Sequence, residues 1–128
     1  MDYKILVVDD EREIVETLKN RLLKEGYAVA SAFDGEEALA QVKAENPDVI
    51  LLDLMMPKLN GFEVLKEIRE NHKDKWRPVI IVSAQGELDT LKKCYNLEAD
   101  HYLVKPCKLE NVLRGIETMI SLIPLRLR

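Results

Sequence analysis

The sequence predicts an α/β fold, an open sheet of five parallel strands with helices packed on both faces. Short apolar runs alternate with amphipathic stretches along the whole chain. The runs are rich in β-branched and aliphatic residues, the content of strands buried on both faces. Strict β–α alternation is satisfied by a parallel sheet joined through right-handed crossovers.

Each element can be justified in turn. The first run is KILVV (4–8), and Ile14, Val15, Leu18 and Leu22 then share one helix face, with Gly26 placed to stop it. YAVASA (27–32) is the second run. Asp34 and Glu37 follow at the spacing of a capping box, opening a helix with Ala38, Leu39 and Val42 inward and Pro47 closing the segment. DVILL (48–52) leads to a helix marked by Phe62, Leu65 and Ile68, and VIIV (79–82) to a weaker one marked by Leu88, Leu91 and Tyr95. HYLV (101–104) precedes a long last helix carrying Leu109, Val112, Leu113, Ile116 and Ile120, which Pro124 is expected to end.

Composition narrows the function classes. A chain of 128 residues with 47% hydrophobic and 33% charged residues is one globular domain with a proper core. Lys and Arg number 19 against 23 Asp and Glu, a net charge of −4, which argues against direct binding of nucleic acid or an anionic membrane. No run approaches transmembrane length, and MDYKILVVDD lacks the basic region and cleavage site of a signal peptide, so a cytoplasmic protein is expected. Cys94 and Cys107 form no CxxC, and His72 and His101 have no metal-ligand spacing. These four residues and Trp76 read as structural. There is no repeat, low-complexity segment or interdomain linker. The division expected is a domain over 1–122, then a short tail or the start of a linker over 123–128.

The chemistry stands at the strand ends. In open parallel sheets, ligands bind beyond the carboxyl ends of the strands. Asp9 and Asp10 follow the first run, Asp53 the third, Ser83 the fourth, and Lys105 with Pro106 the fifth. Each has a bland reading. Acidic residues suit a helix N-terminus, and a serine or a Lys–Pro suits a turn. Asp53, however, sits in the apolar stretch VILLDLMMP, where an unpartnered carboxylate is costly. Three neighbouring carboxylates repel one another, and a hard divalent cation resolves this, with Mg²⁺ the natural choice. Lys105 adds a fixed positive charge and Ser83 a hydroxyl donor. Together they suit stabilisation of a transferring phosphoryl group, with Asp53 as a carboxylate nucleophile that becomes an aspartyl phosphate.

The motifs ILVVDDE, VILLDLMMPKLNGFEVL, PVIIVSA and DHYLVKP, in this order, resemble the receiver domain of a bacterial two-component response regulator, of the chemotaxis-regulator kind. The resemblance covers residues 3 to about 121. It implies a flavodoxin-like (βα)5 three-layer sandwich with strand order 2-1-3-4-5; that order comes from the family and not from the strand pattern. It also implies a phosphorylation-dependent switch in a phosphorelay. Asp53 would be the phosphoacceptor, served by a histidine kinase or phosphotransfer protein. Asp10, Asp53 and the Met55 backbone carbonyl would ligate Mg²⁺, with Asp9 acting through a water. Lys105 would pair with the phosphoryl group, and its bond to Pro106 would be cis. Ser83 would move towards the phosphate and Tyr102 would rotate inward. The change would reach the surface of the fourth helix, fifth strand and fifth helix, while the kinase docks around Glu11 to Val15. The only catalysis implied is self-phosphorylation and autodephosphorylation. The partners implied are the kinase and a downstream effector or output domain, with a monomer or a phosphorylation-dependent dimer.

Some positions depart from the family pattern. Glu98, Ala99, Asp100, His101 and Tyr102 stand where Gly-Ala-Asp-Asp-Tyr is common, and Cys107 where Phe is common. Gly115 and Glu117 occupy places that are often basic in winged-helix regulators, so their salt-bridged dimer is not implied. Three other readings compete with that of a phosphorylated switch. A haloacid-dehalogenase-type phosphatase needs an aspartate two residues past the nucleophile, where Met55 stands. A flavin-binding module needs backbone donors after the first strand, where two carboxylates stand. A receiver that binds partners without being phosphorylated retains every charged group and stays open.

Overall fold

A computed structural model describes residues 3–126; positions 1, 2, 127 and 128 of the expected division lie outside the described residues. The strands are β1 (Lys4–Val8), β2 (Ala28–Ala32), β3 (Val49–Leu52), β4 (Val79–Ser83) and β5 (His101–Val104). They alternate with the helices α1 (Arg12–Lys24), α2 (Gly35–Glu45), α3 (Gly61–Asn71), α4 (Leu88–Asn96) and α5 (Leu109–Arg126). All pairings are parallel, in the order β2-β1-β3-β4-β5, the flavodoxin-like topology. Val8 pairs with both Ala32 and Leu52, and Leu52 with Ile81, so the central strands end level with one another.

Because successive strand residues face opposite ways, the sheet separates two cores. Leu6, Val8, Ile50, Leu52 and Ile81 pack with Ala38, Val42, Leu65 and Ile68 beneath α2, α3 and α4. Ile5, Val7, Leu51, Ile80 and Val82 pack with Leu18, Leu22, Val112 and Ile116 beneath α1 and α5. This is the expected three-layer sandwich. β3 and β4 are buried throughout, whereas the edge strand β5 is only partly covered and leaves Val104 44% exposed.

Helix boundaries follow local chemistry. Gly26 has φ +93°, the left-handed conformation expected after α1. Asp34 accepts the Glu37 N–H at 2.8 Å, so the predicted box is formed in its N-cap half. The full reciprocal box lies at α3, between Asn60 and Glu63.

Two sequence expectations are corrected. Of the three residues that mark α4, Leu91 packs on the core but Leu88 and Tyr95 do not. Cys94 is the buried residue there, Leu91 and Leu97 flank it, and Leu88 and Tyr95 are 65% and 47% exposed. Cys94 lies deepest, with Leu91 and Leu97 partly buried beside it against the same core. Nor does Pro124 end the last helix, which runs through it to Arg126. Proline removes one hydrogen bond, the one to the Ile120 carbonyl. The turn is retained because Ile123 packs on the core and Arg126 stacks on the Trp76 ring at 4.5 Å.

Candidate functional site

The carboxyl ends of β1, β3, β4 and β5 build the site. Asp9 continues β1 by one residue, its N–H donating to the Ala32 carbonyl at 3.2 Å. Asp53 does the same for β3, donating to Val8 O at 3.0 Å. The ladder therefore carries both carboxylates just past the buried strands, at 4% and 6% exposure. Asp10, the next residue of the loop, is exposed. Oxygens of Asp9, Asp10 and Asp53 all lie within 4.8 Å of one another. The joint placement read from the strand ends is thus present.

Lys105 enters from β5. Its backbone N–H donates to Ser83 O at 2.8 Å, and its bond to Pro106 is cis, as expected. The ammonium donates to Asp9 Oδ2 at 2.6 Å and stands 3.6 Å from Asp53 Oδ2. Asp9 Oδ1 meanwhile accepts the Glu11 N–H at 2.9 Å, so both its oxygens are engaged. Asp53 Oδ1 has a longer contact, 3.4 Å, from the Met55 N–H.

Burial pushes the Asp53 carboxyl above its ordinary value; Lys105 works against this and the Asp9 charge adds to it. Burial alone would favour the neutral lysine. The Asp9 hydrogen bond and the charges of Asp53, Asp9 and Glu11 outweigh it and raise the Lys105 pKa. The three clustered carboxylates thus have one ammonium, paired with Asp9 and Asp53. Hard oxygen donors in net negative charge suit a divalent cation such as Mg²⁺, and among the described residues these three aspartates could hold it.

Ser83, fully buried as the last residue of β4, accepts the Gln85 N–H on Oγ at 3.2 Å. The Tyr102 ring is already inside, 8% exposed, and its hydroxyl donates to the Gln85 carbonyl. Gln85 also donates through its side-chain amide to Met55 Sδ at 3.2 Å. It therefore joins the loops after β3 and β4 across the mouth of the site, with Met55 59% exposed.

Gly61 was not anticipated as a site residue. A Cβ there would lie 2.5 Å from the Asp53 carbonyl oxygen and 2.6 Å from Leu54 Cα. Its N–H donates to Leu54 O at 2.9 Å, so the start of α3 is pressed onto the backbone that presents Asp53. The nearby Asn60-to-Glu63 spacing signals this helix start in the sequence, but nothing there signals the close approach.

Fold and rim together define a doubly wound parallel α/β domain whose carboxyl edge carries a cation-seeking acidic cluster beside a fixed lysine. The family model for the response regulator receiver domain matches residues 5–117. The alkaline phosphatase synthesis transcriptional regulatory protein PhoP of Bacillus subtilis is 44% identical over 120 residues, covering 94% of this chain and 49% of that protein. A probable transcriptional regulator, ycf27, of Porphyridium aerugineum is 42% identical over 125 residues, covering 92% of this chain and 51% of that protein. The chain therefore spans about half the length of the curated relatives it matches. Among solved structures, the receiver domain of the Francisella response regulator 1452 superposes with a TM-score of 0.87 at 32% identity, covering 94% of this chain and 98% of that one. Vibrio cholerae chemotaxis protein CheY4 superposes at 0.87 and 31% identity, covering 93% and 99%.

The chain belongs to the response regulator receiver domain family. Domains of this family are phosphorylation-dependent signalling modules of two-component systems, working with histidine kinases and effectors. No helix among the described residues is long and apolar enough to cross a membrane.

Proposed function

We infer that Asp53 is the phosphoacceptor of this domain and that its phosphorylation is the signal. The observation that carries this is the position of the Lys105 ammonium, 2.6 Å from Asp9 and 3.6 Å from Asp53, inside the three-aspartate cluster. A carboxylate oxygen of Asp53 attacks the phosphorus of a kinase or phosphotransfer-protein phosphohistidine. The P–N bond breaks, the histidine nitrogen takes the electron pair and later a proton, and an acyl phosphate remains on Asp53. Lys105 is placed to follow the new charge from Asp9 towards the phosphoryl oxygens. The Ser83 hydroxyl oxygen accepts the Gln85 N–H at 3.2 Å, and its own proton is the donor offered to the phosphoryl group. Tyr102, inside and bonded to the Gln85 carbonyl, secures the loop that carries this movement.

Asp10, Asp53 and the Met55 carbonyl would hold Mg²⁺. Asp9, with both oxygens engaged, would act through water. The ion supplies charge neutralisation for three carboxylates and the incoming phosphate.

For the donor, a groove of about 640 Å³ opens beside Lys105 between α1 and the start of α5. Its floor includes Ile14, Leu18 and Val112, and its rim Glu11 and Glu13, which supports docking of a kinase helix at Glu11 to Val15. For the output, exposed Leu88, Tyr95 and Val104 on α4 and β5 support a partner surface over α4, β5 and α5. That partner is an effector protein or an output domain, and the domain itself acts without direct contact to nucleic acid or membrane. The setting is the cytoplasm.

The test is intact mass after incubation with Mg²⁺ and acetyl phosphate, beside Asp53→Asn. One Mg²⁺-dependent phosphoryl group on the parent and none on the variant is expected. No adduct, with beryllofluoride also failing to bind, would leave a partner-binding receiver that is never phosphorylated.

A further inference from the structure

We propose that Met55 is a peroxide-sensitive site whose conversion to the sulfoxide shortens the life of the Asp53 phosphate. This rests on Asp53 being the phosphoacceptor. The chain has four methionines. Met1 lies outside the described residues, Met56 is half-buried against the α2–α3–α4 core, and Met119 is 8% exposed within the α1–α5 core. Met55, in contrast, is 59% exposed. An oxidant in solution therefore reaches the Met55 sulfur well ahead of the sulfurs of Met56 and Met119. Burial raises the pKa of both cysteine thiols, Cys94 and Cys107, which keeps them protonated and slow towards peroxide.

The position gives the modification a consequence. Met55 lies two residues past Asp53, and its N–H contacts Asp53 Oδ1 at 3.4 Å. Its sulfur takes the Gln85 side-chain amide at 3.2 Å, so the two side chains close part of the mouth of the site. Thioether sulfur is a weak acceptor with an apolar surface. Hydrogen peroxide transfers one oxygen to it: the O–O bond breaks, an S–O bond forms, sulfur loses two electrons and water leaves. The sulfoxide oxygen is a strong, outward-reaching acceptor. It draws the Gln85 amide off the sulfur and outward onto itself, and its remaining lone pair holds water at the mouth of the site. Water ordered beside an acyl phosphate is the nucleophile for its hydrolysis.

Gln85 widens the effect. Its N–H is on Ser83 Oγ and its carbonyl receives the Tyr102 hydroxyl, so displacement of Gln85 also moves the two side chains expected to report the phosphate. Oxidation at one exposed sulfur is thereby coupled to three contacts of a single residue. Reduction of the sulfoxide restores the thioether and the original rim, which makes the device reversible.

The experiment phosphorylates the chain with acetyl phosphate and Mg²⁺, removes the donor, and follows phosphoryl loss by intact mass. Samples are untreated, treated with hydrogen peroxide, or treated and then repaired with methionine sulfoxide reductases; peptide mass identifies the oxidised residue. Met55→Leu, which keeps the cysteines and removes the sulfur, is carried through the same steps and compared with its own untreated decay. Oxidation of Met55 before Met56 and Met119 is expected, with decay accelerated roughly threefold or more, reversal on repair, and no acceleration in Met55→Leu. Unchanged decay of the oxidised parent, preferential oxidation elsewhere, or equal acceleration in Met55→Leu each overturns the proposal. An untreated protein that never takes a phosphoryl group overturns the parent reading, and this one with it.

Discussion

Lys105 leans on Asp9 rather than on Asp53: its ammonium is 2.6 Å from the first carboxylate and 3.6 Å from the second. The lysine is thus engaged before any phosphate arrives, and its partner there is not the carboxylate expected to react. For Lys105→Ala, Mg²⁺ affinity should change by only about threefold, because loss of the cation leaves more negative charge for the metal. The conformational response to beryllofluoride should fall roughly tenfold or more, because the phosphoryl mimic loses its charged partner. Titration of each ligand on the same protein separates the two, and equal losses would contradict this division of labour.

Asp53 should make the metal-free fold depend on pH. Its carboxyl titrates above the ordinary value in the folded state, so between the unfolded and folded pKa the native state binds more protons. The contribution of this group to stability therefore declines as pH rises through that window, and is recovered as pH falls. Above the window Asp53→Asn should stabilise the chain in EDTA by about 1 kcal/mol, since it removes a buried, repelled charge. Thermal melts of parent and variant across pH would show the gap closing towards acid. A gap that widened there would refute the assignment.

Gly61→Ala should be damaging although it adds a good helix former. The new Cβ would press on the Asp53 carbonyl oxygen at 2.5 Å and on Leu54 Cα at 2.6 Å, and backbone cannot step aside as a flexible side chain can. A loss of about 2 kcal/mol is expected in urea unfolding, together with slower phosphorylation from a displaced Asp53. Full stability with normal phosphorylation would show that the loop gives way freely.

Arg77 should prove the costliest charge to remove at the opposite end of the sheet. It is 3% exposed, and its guanidinium donates to the carbonyls of Pro47 and His72, to Asn46 Oδ1 and to Asp74. Arg77→Met keeps most of the volume but orphans those acceptors, so roughly 3 kcal/mol should be lost. Chemical denaturation would read this directly, and phosphorylation of the folded variant should be retained.

What the sequence disclosed was local in origin. β-branched runs mark the strands whatever surrounds them, and the residues that follow each run had to arrive together at one edge once the sheet was parallel. Asp9, Asp53, Ser83 and Lys105 were legible for that reason. The face of α4 was legible only at Leu91, since hydrophobicity favours Leu88 and Tyr95 while the helix turns Cys94 to the core. Pro124 misled because the contacts of Ile123 and Arg126 are tertiary and outweigh a local signal. The Asn60–Glu63 box carried a readable spacing, whereas the demand for a glycine at 61 arises only when two distant backbones meet. Lys105's preference for Asp9 is a matter of ångströms, which no spacing encodes.

The sheet also acts as a partition. Among the described residues no buried hydrophobic side chain belongs to both cores. The α1 and α5 side, where the groove beside Lys105 opens, can drift in sequence without repacking the α2, α3 and α4 side. Ile68 and Leu22 can be exchanged in evolution as if they belonged to separate small proteins. The two halves meet through backbone and at the acidic rim, so a lineage can acquire a new donor surface by changing one half and leave the packing behind the Asp53 loop untouched.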